Sequence, residues 1–83
     1  RGGMMSEEEL FLQQIGQRIM ERRKNLGLTQ EALAEKGDVT TQFVSYAEAG
    51  KRAMRPENLL KIASALGVST DYILTGDVID AAV

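Results

Sequence analysis

Residues 27–51 read GLTQEALAEKGDVTTQFVSYAEAGK, and this stretch decides the fold. Thr29 can accept a backbone N–H at the start of a short helix, Gln30 to about Lys36. The buried side of that helix is Leu33, with Ala32 and Ala34 small enough for another helix to approach closely. Gly37-Asp38 then marks a turn. After it Val39 is a buried lead-in residue, Thr40 is a second N-cap candidate, and Thr41 to Ala49 form a further helix that Gly50 stops. Two short helices joined by a few residues, small where they cross, have the geometry that seats the second helix in a DNA major groove.

Upstream, Ser6 and Glu9 stand at capping-box spacing, so a longer helix is expected to begin there. Its apolar positions Leu12, Ile15, Ile19 and Leu26 recur at helical period, and Gly27 can end it in the left-handed conformation. Arg23 falls on the same face as Ile19 and Leu26, which puts its guanidinium at the core margin and calls for an acidic partner. Residues 1–5 have no apolar period and read as an added remnant or a disordered start.

Downstream, a loop from Lys51 to Arg55 leads to Pro56, which opens a helix with Leu59, Ile62, Ala63 and Leu66 in one stripe before Gly67. Val68-Ser69 repeats the pattern of Val39-Thr40, and Ser69 caps a short helix ending near Thr75-Gly76. No segment alternates as a strand would. The expected architecture is therefore all-α, a compact five-helix domain over residues 6–76 followed by a tail over 77–83.

At 83 residues the chain suits one small domain with little core to spare for a cofactor. It has no Cys and no His, which removes thiolate nucleophiles, disulfides, cysteine-ligated metals, imidazole ligands and the usual near-neutral general base. Neither an enzyme nor a metal or other cofactor is expected. No apolar run approaches the roughly 20 residues that span a bilayer, and three glutamates precede the first apolar cluster, against a signal peptide. A cytoplasmic location without membrane partners follows as an expectation. The net charge of −2 is unhelpful to nucleic-acid binding, but residues 18–61 carry nine bases against six acids, a net of +3. The acidity lies in the flanks.

The stretch quoted above, with RPENLLKIASALGVSTDYILTG at residues 55–76, resembles the DNA-binding domain of the lambdoid phage repressor and Cro family of helix-turn-helix regulators, the xenobiotic response element type. The resemblance covers about Ile15 to Gly76. It rests on the Gly-Leu-Thr-Gln start, Leu33-Ala34, Val39-Thr40, Ser45, Glu48 with Gly50, Pro56, and the run Ala65-Leu66-Gly67-Val68-Ser69. Two positions depart from the family pattern. Asp38 stands where a turn glycine is usual, and Asp tolerates the left-handed region. Ala47 replaces a frequent large aromatic, a gap for Phe43 or Met20 to fill.

The resemblance implies that Glu48 pairs with Arg23 as a structural ion pair. It also implies base contacts from Thr41, Gln42, Ser45 and Tyr46, which lie on the first two turns of the third helix opposite Val44. Their chemistry suits the task, because a Gln amide can bond adenine N6 and N7 together, while Thr and Tyr add hydroxyl donors. Gln30 is placed as in the family to bond a phosphate and brace Gln42, and Thr40 is a further phosphate contact. Lys51, Arg52, Arg55 and Asn58 in the following loop are positioned to hold the backbone of the same half-site. Phe43 either touches a thymine methyl or covers the core margin, with packing the favoured reading.

Modest basicity points to a homodimer on a palindromic double-stranded operator. Its interface is expected around Tyr72, Ile73 and Leu74, which exceed what a short terminal helix buries. Val78, Ile79 and Val83 either add to that interface or fray. Two functions compete: a sequence-specific DNA-binding transcriptional regulator, a repressor by preference, and a protein-interaction module such as an antitoxin or regulator partner using the same fold.

Overall fold

Five helices occupy residues 4–77, the part of the chain described by the computed structural model: α1 (Glu7–Asn25), α2 (Gln30–Gly37), α3 (Thr41–Ala49), α4 (Pro56–Leu66) and α5 (Thr70–Thr75). The described residues contain no strand. Val78, Ile79 and Val83 lie outside them.

Each helix begins where its local chemistry allows. Ser6 Oγ accepts from the Glu9 backbone N–H while the Ser6 N–H donates to Glu9 Oε1, closing the capping box at 3.1 and 2.9 Å. Thr29, Thr40 and Ser69 each accept from the N–H three residues on, and Pro56 opens α4 without a side-chain cap. A side-chain cap is worth about 1 kcal/mol. The turn between α2 and α3 is made by Asp38, the one non-glycine residue with positive φ (57°) among those described, while Gly37 before it is helical and buried.

The core gathers Ile15, Ile19, Leu33, Val44, Ile62, Leu66 and Ile73 around Ala34, Ala47, Ala63 and Ala65. Burying each large aliphatic side chain contributes about 1.5 to 3 kcal/mol. Two expectations are corrected here. Leu26 is 40% exposed, because α1 ends at Asn25 and the cap residue turns away from the stripe. Ile73 is fully buried inside this one domain, so it is core and not an interface residue, with Tyr72 and Leu74 half-buried against the same cluster. The fifth helix turns its middle residue under α1 and α4, which a reading of its sequence as a surface element does not anticipate.

Arg18 and Arg22 stitch the last two helices to α1. Arg18 Nη1 donates to the carbonyls of Ile73 and Leu74 at 3.0 and 3.1 Å, and Arg22 Nε donates to that of Leu66 at 2.9 Å. These carbonyls end α4 and α5, where cations are favourable.

Candidate nucleic-acid interface

The site is built on how α3 is seated. A Cβ on Gly16 would overlap the carbonyl oxygens of Ala47 and Glu48, so only glycine lets α1 and the end of α3 meet backbone to backbone. A Cβ on Gly50, at φ 69°, would likewise come within 2.8 Å of Gln13. This close approach accounts for Ala47. A large aromatic there is replaced by proximity, with half-buried Phe43 and Met54 packing alongside and Met20 elsewhere on α1.

Beside that contact Arg23, only 9% exposed, meets Glu48 in a two-point pair, Nε to Oε2 at 2.6 Å and Nη2 to Oε1 at 3.0 Å. Arg23 Nη1 also donates to the Leu28 carbonyl at 2.9 Å, so the group is satisfied despite burial. The hydrogen bond to Glu48, opposed by desolvation and helped by the charges of Glu48 and Glu31, raises the guanidinium above its usual value. It stays charged at every physiological pH. Gln30 completes the cluster from α2 by donating Nε2 to Glu48 Oε1 at 3.0 Å. Its expected brace on Gln42 is therefore corrected, since the buried carboxylate is the stronger acceptor and takes the amide inward.

The opposite face of α3 presents Thr41, Gln42, Ser45 and Tyr46 to solvent. Gln42 Nε2 donates to the Tyr46 hydroxyl at 2.9 Å, and the Arg52 guanidinium lies over the Tyr46 ring, 5.6 Å from its centroid. An open cleft of about 320 Å³ brings together Thr40, Gln42, Tyr46, Arg52, Arg55 and Asn58, with Phe43 and Met54 also in its lining. Thr41, Ser45 and Lys51 are exposed outside this cleft, and Gln30 belongs to the Glu48 cluster. The Thr40 oxygen accepts from the Phe43 N–H, which leaves its O–H to donate outward. Phe43 is half-buried against the core.

Charge is sorted by the fold. Arg18, Arg22 and Arg23 are consumed internally, and Lys61 lies 3.8 Å from Asp38. Lys51, Arg52 and Arg55 are exposed on the loop beside α3. The described residues hold no group of acidic side chains placed to bind a metal ion and no helix long and apolar enough to cross a membrane. Gly16, Met54 and the two inward arginines of α1 are the contributors that the sequence reading missed; only the lone glycine inside a helix, at 16, offered a signal.

Residues 19–73 match the family model described as helix-turn-helix. The chain is 40% identical over 65 residues to repressor protein C2 of Salmonella phage P22, covering 78% of this chain and 30% of that protein. It is 36% identical over 63 residues to the transcriptional regulator ImmR of Bacillus subtilis, covering 76% of this chain and 50% of that one. It thus spans between about a third and a half of these relatives. Among solved structures, the P22 c2 repressor in complex with a synthetic operator superposes with a TM-score of 0.74 at 40% identity, over 78% of this chain and 98% of that one. The restriction-modification controller C.AhdI of Aeromonas hydrophila gives 0.72 at 35% identity, over 75% and 94%. With its two short helices, its capped turn and its outward polar face all inside the matched region, the chain belongs to the helix-turn-helix family of transcriptional regulators, of the lambdoid phage repressor type.

Proposed function

We propose that this chain binds double-stranded DNA sequence-specifically as a transcriptional repressor, in the cytoplasm, by placing α3 in the major groove and occupying an operator rather than by catalysis. The observation that carries the reading is the polar outer face of α3, held from behind by the buried Arg23–Glu48 pair and flanked by three exposed bases. Thr41, Gln42, Ser45 and Tyr46 contact bases. Thr40, Lys51, Arg52, Arg55 and Asn58 contact phosphates, and Gln30 acts through Glu48 with its remaining N–H toward the backbone.

Three exposed cations beside α3 in each protomer give little affinity to a monomer. Two copies on a palindrome with half-sites about one helical turn apart double the contacts, with the exposed edges of Tyr72 and Leu74 at the interface. The test is selection from random-sequence DNA at near-physiological salt. Enrichment of such a palindrome is expected; no enrichment by a folded chain would defeat the reading and favour a protein partner instead.

A further inference from the structure

We propose that the Tyr46 hydroxyl fixes the Gln42 amide so that the two residues together read adenine and reject guanine; the inference rests on the DNA-binding reading above. A glutamine amide has two N–H donors and one carbonyl acceptor. In the major groove adenine shows an acceptor at N7 and a donor at N6, whereas guanine shows two acceptors, N7 and O6. A free amide serves either base. It offers donor and acceptor together to adenine, or turns its two donors on guanine.

In this chain the choice is already made. Gln42 Nε2 commits one N–H to the Tyr46 oxygen, one helical turn along the same exposed face. One N–H and Oε1 remain, which match N7 and N6–H of adenine. Against guanine the same pair meets one acceptor with its donor and sets Oε1 against the O6 lone pairs, leaving both oxygens without a proton between them. Discrimination thus comes from a donor that has been used up.

Tyr46 can act as a fixed post because it is itself held. Its ring carries the Arg52 guanidinium 5.6 Å from its centroid, and its backbone carbonyl accepts the Lys51 N–H at 3.1 Å. Having accepted from Gln42, the phenol keeps its own O–H as a donor. The neighbouring base must then supply an acceptor, which the cytosine edge, presenting its N4 amino donor, does not.

Tyr46→Phe isolates the effect, since it keeps the ring under Arg52 and deletes only the hydroxyl. Random-sequence selection is run on the wild-type chain, Gln42→Ala and Tyr46→Phe, with circular dichroism and urea midpoints checking that all three fold alike. At the base pair whose identity is lost in Gln42→Ala, the wild type is expected to prefer adenine over guanine by tenfold or more, and Tyr46→Phe to lower that ratio about tenfold. An unchanged ratio in Tyr46→Phe, or a wild-type preference for guanine, would overturn the amide-fixing role while leaving DNA binding intact. Failure of the folded wild type to enrich any sequence would instead remove the DNA-binding reading and this inference with it.

Discussion

The two faces of α3 are built to opposite rules. Its inner face meets α1 through glycine and alanine, nearly backbone to backbone, beside a charge pair in which each guanidinium nitrogen has an acceptor. Its outer face carries long polar side chains on an open cleft, joined to each other and to a loop rather than to the core. The contrast teaches that rigidity in this domain is supplied from behind the reading surface. Substitutions on the inner face should therefore cost folding, and substitutions on the outer face should cost DNA recognition alone.

The strongest challenge to that division is Glu48→Ala, which strands the Arg23 guanidinium and the Gln30 amide in a buried site. It should lower stability by about 3 to 5 kcal/mol, read as a shift in the urea midpoint. Gly16→Ala is a sharper test because its sign decides. An open helical site would gain up to about 1 kcal/mol from the exchange, whereas the contact with the carbonyls of Ala47 and Glu48 should make it lose about 3 kcal/mol. On the outer face, Gln42→Ala should leave the midpoint unmoved and weaken cognate DNA binding by about 1 to 3 kcal/mol, measured by titration. A stability loss there would break the comparison. The smallest effect is expected at Asp38→Gly, which relieves a left-handed non-glycine residue and forfeits only an exposed ion pair at 3.8 Å with Lys61. A gain of about 0.5 kcal/mol should appear as a slightly higher melting temperature.

What could be read from the sequence follows the range of the interactions. The boundaries at Ser6, Thr29, Thr40 and Ser69 were legible because a cap is a contract between neighbours three residues apart, and that at Pro56 because its fixed φ suits the first helical position. The polar face of α3 was legible from period alone, since Val44 and Ala47 define the side it opposes. The Arg23 need for an acid was visible in the apolar stripe, but its partner Glu48 came through family resemblance, because 25 residues of chain separate them.

Other features depend on packing that no local pattern encodes. Ile73 looked available for a partner because a six-residue helix has too few turns to show which side is inward. Arg18 and Arg22 counted as part of a basic motif, yet both turn inward to carbonyls 44 or more residues away. Gln30 was read as a brace on Gln42, but the charged carboxylate of Glu48, 18 residues away, takes its amide instead.

The tight seating of the C-terminal end of α3 on α1 also sets an angular tolerance. Its fixed points, Ala47, Glu48 and Gly50, lie at the C-terminal end, while Thr41 and Gln42 project from the other end of a nine-residue helix about 13 Å long. The close α1 contact sets how the helix lies, and a tilt of about 5° about that end carries its N-terminal residues about 1 Å, enough to spoil a two-point hydrogen bond to a base. A methyl group added at Gly16, far from any nucleotide, would thus blur the operator sequence this protein selects before it abolished binding.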